Sequence, residues 1–472
     1  MFKSKVRERR IFTNRRRVRR RFSWLGAIAS AALFLIVLEL LTRIFIDISG
    51  KRNQFAQTEV SSELSEFYRL NFVEPKSVAA DEQQDGLLVQ NTIAVGYELV
   101  PNQKSRYWQI NEQGFRDEVA VPLKKPQDEI RIFLLGGSTS FGYGNSNNSA
   151  TISNHLEQRL QQRLQQQRSS PQLYKPDLLP FDKAKKQKYL AKPSKIKSGK
   201  YRVINAAVPG YASGNELAQV ALQILKYQPD LIVILNGYSD LMLPSNQQAV
   251  SAPADNYLAS NTNSIKTYFQ QLIAPLKNNS YLAKVAQNQW LSSPKTDPKA
   301  NFLLNETTSQ LVQHLPPDKI ELQNRVTRYI ENQKQILNLS AAARVPLVVA
   351  IQPEITGRNP SQLTDNEGEI ATELGRTYIK QVRENYPLFT QAAFSLAQAF
   401  PQNIKAVDLY RLTDKYPSPS FVDAIHLNET ANKKVAEQLY YAITTFSKMQ
   451  VVPKQAPAPK TSTSKLKQFK AN

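Results

Sequence analysis

The sequence predicts an α/β protein: a parallel sheet covered by helices on both faces, three layers in all, with one membrane-spanning helix ahead of it. Three observations carry that expectation. Five short apolar runs recur between residues 130 and 408, the first closing on two glycines, as buried parallel strands do. Helix-length segments separate them, and strand–helix alternation of this kind builds a parallel sheet. A charge-free stretch also follows directly on an arginine-rich amino terminus.

Residues 1–22 hold eleven Lys and Arg side chains, Lys3 through Arg21, against the single acid Glu8. Residues 24–38 carry no charge, and Glu39 and Arg43 then stand four apart, acid first, where they can pair on one helix face. From Trp24 to Ile46 a helix would run about 34 Å at ~1.5 Å per residue, enough for a hydrocarbon core of roughly 30 Å. The excess of positive charge before it puts residues 1–22 in the cytoplasm, the span at 23–46 and the remainder outside. A cleaved signal peptide fits less well, because the basic region is long and the residues after Leu38 are large or charged. A core helix fits less well because it would open on an arginine cluster.

Residues 47–93 read as a polar stalk. Residues 94–126 read as short strands and turns that open a main domain running to residue 447. Its first strand is 130–135, ended by Gly136 and Gly137. Ile152, Leu156, Leu160 and Leu164 recur every four residues and predict an amphipathic helix over 150–168. Residues 170–200 are rich in Lys and Pro and are expected to be a solvated, largely unstructured insertion. Strands follow at 202–206 and 231–235, with a helix over 214–227 between them. A second insertion, 241–318, is rich in Asn, Ser and Pro. Helix 319–342 leads to a strand at 346–351. A helical stretch over 368–399 breaks near Pro387, 404–408 is the fifth strand, and 428–447 is a closing helix. The tail, 448–472, is expected to be disordered.

The chain has 472 residues and a net charge of +22. Three windows hold all of it: +10 in 1–22, +7 in 175–200 and +5 in 450–472. The remaining residues sum to zero, so the basic character belongs to attachments rather than to a folded face. That argues against a nucleic-acid partner, which needs a basic face on the domain. There is no cysteine, which removes disulfides, thiolate nucleophiles and cysteine metal sites. Only His155, His314 and His426 could supply an imidazole. His155 and His314 read as structural and exposed, respectively.

Function in open α/β sheets sits at the carboxyl ends of strands. After the first strand comes Gly136-Gly137-Ser138-Thr139-Ser140, and after the second Val208-Pro209-Gly210. After the third comes Asn236-Gly237-Tyr238-Ser239-Asp240, and past the fifth Asp423-Ala424-Ile425-His426. The glycine loop is not a phosphate cradle of the P-loop type, because Tyr143 stands where that loop needs Lys. It also lacks the last glycine of the α/β-hydrolase elbow.

These four segments, in this order, resemble the SGNH (GDSL-type) serine hydrolases, in particular membrane-anchored bacterial members. The resemblance covers roughly residues 94–447, outside the two insertions, and implies a flavodoxin-like fold. Gly136-Gly137-Ser138 is similar to the family's G-D-S, with Gly137 in place of Asp. Asp423 and His426 match D-x-x-H. Gly237-Tyr238-Ser239-Asp240 matches G-x-N-D, with Ser239 in place of Asn. Residues 97–116 also look like the P-N … N-x-x-G-F-R lead-in of anchored relatives. The resemblance implies a nucleophile at Ser138, a base at His426 and an orienting carboxylate at Asp423. It implies oxyanion donors at Ser138 and Gly210 and at Ser239, with Asn236 as the alternative to Ser239. It implies no metal and no cofactor.

That chemistry is coherent on its own terms. A serine hydroxyl needs a base within about 3 Å. A carboxylate on the far nitrogen fixes the imidazole tautomer. Charge developing on the carbonyl oxygen needs donors set in advance. The expected protein is therefore a membrane-tethered, extracytoplasmic serine esterase acting on ester-linked acyl groups of envelope carbohydrate or lipid. Two alternatives stay open: acyl transfer to exported polysaccharide by the same groups, and a non-catalytic polysaccharide-binding relative. The lysine-rich insertion and tail are expected to touch anionic lipid or acidic polysaccharide.

Overall fold

The computed structural model describes residues 66–73, 86–92, 95–250, 308–414 and 419–457, all within one compact unit. The expected cytoplasmic segment 1–22 and span 23–46 lie outside the described residues, as do most of the second insertion and the end of the tail. Among the described residues, no helix is long and apolar enough to cross a membrane.

In chain order the strands are β1 (Leu70–Val73), β2 (Leu87–Thr92), β3 (Gly96–Leu99), β4 (Glu129–Gly136), β5 (Leu178–Leu179), β6 (Lys200–Asn205), β7 (Leu231–Asn236), β8 (Leu347–Ile351), β9 (Ile404–Asp408) and β10 (Lys454–Gln455). The helices are α1 (Ser138–Phe141), α2 (Ile152–Ser169), α3 (Lys183–Leu190), α4 (Ser213–Gln219), α5 (Tyr238–Met242), α6 (Lys319–Ala342), α7 (Asp365–Asn385), α8 (Pro387–Ala399) and α9 (Glu429–Thr444).

The main sheet runs β6-β4-β7-β8-β9, and every neighbouring pair is parallel. Counted along the chain that order is second, first, third, fourth, fifth, the flavodoxin-like arrangement. Helices α2 and α9 pack together on one side, against β6 and against β8 and β9. Helices α4, α6 and α8 form the second helical layer, with α4 against β4 and α8 against β8 and β9. Strand β7 lies at the centre, and Leu231 through Leu235 have no exposed surface. At roughly 1.5–3 kcal/mol per fully buried aliphatic side chain, that strand contributes on the order of 10 kcal/mol before chain entropy is counted. The edge strands are less covered: Lys200 opens β6 exposed and Asp408 closes β9 exposed.

Three expectations from the sequence are corrected. The described parts of the supposed stalk belong to the fold. Strand β1 pairs parallel with β2, which pairs antiparallel with β3, and Tyr68, Leu87 and Val89 have no exposed surface. The apolar run is short, three residues from Leu87 to Val89, and the rest of β1 and β2 is only partly buried. The insertion 170–200 is also structured. It contains β5 and α3, and Tyr174, Leu179 and Ile196 are buried. The first ten residues of the tail likewise fold back: β10 pairs parallel with β5, and Met449 is buried. Composition suggested disorder for both because each has too little apolar surface alone, whereas each supplies the other's hydrogen-bond partner.

Candidate active site

Strand β4 ends at Gly136, and the chain turns at once into α1, so Ser138 opens that helix with its side chain over the sheet's carboxyl edge. This is the gap between β4 and β7 where connections depart in opposite directions, the usual ligand crevice of such sheets. The segment before α9 brings Asp423 and His426 to the same place. His426 Nε2 lies 2.7 Å from Ser138 Oγ, and His426 Nδ1 lies 2.5 Å from Asp423 Oδ2. Asp423 Oδ1 accepts from the backbone N–H groups of Ile425 at 2.9 Å and His426 at 2.8 Å. Burial would raise the Asp423 carboxyl, but the His426 imidazole and these bonds outweigh it and hold the group below its ordinary range. The carboxylate thus stays charged, keeps Nδ1 protonated and leaves Nε2 free to accept from the serine hydroxyl.

Around this line of three groups, the structure supplies supports that the sequence did not reveal. Tyr143 stacks on the His426 ring, with centroids 4.2 Å apart and planes at 22°. Burial first, then the Asp423 charge, raises its phenol, so it sits there neutral. Gln352, just past β8, donates to Thr139 Oγ1 at 3.1 Å, and Thr139 donates to the Ile425 carbonyl at 3.2 Å. The residue after Ser138 is thereby tied to the residue before His426. Ile355 N–H reaches the Ala424 carbonyl at 2.9 Å, fixing the same loop from β8.

The lead-in motif also acquires a role. Asn111 Oδ1 accepts from the N–H groups of Gln113 and Phe115 and forms the turn that delivers Arg116. The buried Arg116 guanidinium donates to the carbonyls of Phe141 at 3.0 Å and Gly142 at 2.7 Å, where α1 ends. Burial lowers its pKa, with the Tyr68 phenol acting against that shift. The same guanidinium donates to the Tyr68 hydroxyl at 3.1 Å, so one arginine ties the residues just before β1 to the end of α1.

Gly210 has φ +89°, and a Cβ there would lie 2.3 Å from the Tyr97 hydroxyl. Only glycine fits, because Tyr97 donates to the Pro209 carbonyl at 2.7 Å and Tyr211 donates back to the Tyr97 carbonyl at 2.5 Å. Among the described residues, neither the Gly210 N–H nor the Ser138 N–H has a hydrogen-bond acceptor. A Cβ on Gly137 would lie 3.5 Å from Ser239 Oγ, which sets that hydroxyl beside the turn that leads into Ser138. No partner is seen for Ser239 Oγ among the described residues.

Asn236, the alternative donor, is turned away. Its Nδ2 donates to Glu216 at 2.5 Å, its Oδ1 accepts from Tyr329 at 3.1 Å, and it is buried. Asp240 braces the same loop from behind, accepting from Ser213 N–H at 3.1 Å and Ser213 Oγ at 2.5 Å, with Arg328 3.9 Å away. Of the other imidazoles, His155 lies 3.8 Å from Glu429, and His314 is part-buried rather than exposed. Among the described residues, no group of three or more His, Asp or Glu side chains could hold a metal ion.

A hydroxyl, an imidazole and a carboxylate thus stand in series at the crevice of a flavodoxin-like sheet. Residues 132–439 match the GDSL-like lipase/acylhydrolase family, and the chain belongs to that family. It is a hydrolase that acts on ester bonds. Among solved structures it is similar to the lipase/acylhydrolase of Enterococcus faecalis, at 14% identity, 69% of this chain, 99% of that chain and TM-score 0.33. It is also similar to a psychrotrophic esterase of Pseudoalteromonas sp., at 12% identity, 66% of this chain, 96% of that chain and TM-score 0.31. No curated protein matches the chain.

Proposed function

We propose that the ester bond is cleaved through an acyl-enzyme on Ser138. His426 Nε2 takes the hydroxyl proton as Oγ attacks the ester carbonyl, and later returns it to the leaving alcohol. Asp423 holds the imidazole in the required tautomer and stabilises its charged form. The amides of Ser138 and Gly210 and the Ser239 hydroxyl receive the developing oxyanion. Water then repeats the sequence on the acyl-enzyme. The observation that carries this reading is the unbroken pair of contacts, 2.7 Å and 2.5 Å, from Ser138 through His426 to Asp423.

The substrate class we propose is an ester-linked acyl group on carbohydrate or lipid of the cell envelope. The support is positional: the apolar segment 23–46, free of charge over 24–38 and set behind eleven basic residues, would tether the domain outside the cytoplasmic membrane. Hydrolysis of a short p-nitrophenyl ester by the full chain, compared with Ser138→Ala, tests the chemistry. The expected loss is at least about 10³-fold, and retention of turnover in the variant would overturn it. A carboxyl-terminal reporter that is active only in the cytoplasm would overturn the orientation.

A further inference from the structure

The insertion 170–200 and the start of the tail lie far apart in sequence but form one structural piece. Beyond the β5–β10 pairing, Lys197 N–H reaches the Met449 carbonyl and Val451 N–H reaches the Lys195 carbonyl, both at 2.9 Å. Lys454 N–H reaches the Asp177 carbonyl at 2.8 Å and Ala456 N–H the Leu179 carbonyl at 2.9 Å. The lysine-rich window 175–200 is thereby held beside the start of the tail, which brings Lys454 to it. The piece is rooted by buried Tyr174, Leu179, Ile196 and Met449, and most of the residues around α3 are exposed.

Its exposed face has two unusual properties together. Nine lysines stand against two acids in residues 175–200, and both acids are occupied. Asp177 pairs with Lys195 at 3.0 Å, and Asp182 caps α3 by accepting from Lys185 N–H at 2.8 Å. Lys183, Lys185, Lys186, Lys188 and Lys454 make no ion pair among the described residues. Beside them, Leu173, Leu178, Phe181, Leu190 and Val452 are between 44% and 73% exposed, five of the thirteen exposed large apolar side chains among the described residues. Helix α3 buries none of its side chains against the domain, so local packing does not explain why it is there.

We infer that this face docks onto an anionic bilayer. Uncompensated lysines meet acidic head groups, and the neighbouring Phe and Leu side chains enter the boundary beneath them. An acidic polysaccharide would satisfy the lysines but leave the five apolar side chains in water, so the lipid surface matches both properties. The inference rests on the membrane-side placement proposed above, and extends it by giving the domain a second, reversible contact beyond the segment 23–46.

The chain has no cysteine, so Phe181→Cys provides a single attachment point for an environment-sensitive dye. Ile320→Cys, at an exposed apolar position on α6, provides the control. The full chain is reconstituted in vesicles of phosphatidylcholine alone or mixed with phosphatidylglycerol. The expected result is a blue shift and a several-fold loss of acrylamide quenching at position 181 in the anionic vesicles only. Both should vanish when Lys183, Lys185, Lys186 and Lys188 are replaced together by Gln, while ester turnover is unchanged. Equal quenching in the two lipids, or equal protection at position 320, overturns the inference. Protection produced in detergent by an acidic polysaccharide reassigns the face to that partner, and protection produced by protein concentration alone reassigns it to a second copy. Flotation with phosphatidylcholine vesicles reads the 23–46 anchor separately, so failure of the anchor and failure of this face are distinguishable.

Discussion

Glu354 lies three residues beyond β8, with no exposed surface. Burial lifts its carboxyl to about 7, although the Thr356 hydroxyl and N–H, the Tyr378 hydroxyl and the Arg383 charge all pull the other way. An unfolded glutamate titrates near ~4.3. Because the folded value is the higher one, folding favours the protonated acid. Its full contribution to stability is present below the unfolded pKa, at about pH 4.3, and is lost as pH rises through about 7. The gap of between two and three units, at about 1.36 kcal/mol each, corresponds to roughly 3 kcal/mol. Glu354→Gln keeps a side chain of the same shape and an oxygen for Thr356, but removes the titration. Urea unfolding followed through tryptophan fluorescence from about pH 4.5 to pH 8 should therefore show the variant gaining roughly 3 kcal/mol on the wild type as pH rises. A difference between the two proteins that stays constant across that range would refute the reasoning. The outcome bears on the candidate site, because the adjacent Ile355 N–H holds the Ala424 carbonyl in the loop that carries Asp423 and His426.

Three further outcomes are expected at the site itself. Ser239→Ala should lower kcat about 10²-fold with little change in KM, as loss of one oxyanion donor does, and an unchanged kcat would remove Ser239 from that role. Tyr143→Ala should lower kcat about tenfold by freeing the His426 ring, whereas Tyr143→Phe retains the stack and the rate; equal losses in the two variants would point to the hydroxyl instead. Asp423→Asn should lower kcat about 10⁴-fold through the wrong imidazole tautomer. Since the Asp423 carboxyl is held below its ordinary range, its contribution to stability is present above the unfolded value of about 3.9. The stability gap between wild type and Asp423→Asn should therefore close as pH falls through the lower folded value, and a gap that widens in acid would contradict the assignment.

The five sheet strands were legible because a strand buried on both faces reads as an unbroken apolar run, as in β7 and β8. The meeting of Ser138, Asp423 and His426 was legible because strand ends converge in this topology, so short motifs in the right order suffice. The structure of residues 66–73 and 86–92 is not legible in sequence, since their burial depends on pairing with β3 and on single aromatics such as Tyr68 fitting beside Arg116. The insertion and tail were misread for a related reason: neither composition shows that Leu178 and Lys454 are ladder partners. Asn236 was kept open as a donor because spacing alone cannot show that Glu216 and Tyr329 hold it. In sequence Tyr143 is visible only as the residue that breaks a P-loop pattern. Its stacking on His426 joins residues that sequence spacing does not relate.

The central claim is that Ser138 is the nucleophile. Its most direct measurement is the intact mass and peptide map of the full chain after treatment with a fluorophosphonate. The account predicts one adduct, carried by the peptide containing Ser138, formed in the wild type and absent from both Ser138→Ala and His426→Gln. No adduct on the wild type under conditions that modify a control serine hydrolase, or an adduct that persists in Ser138→Ala, would contradict it.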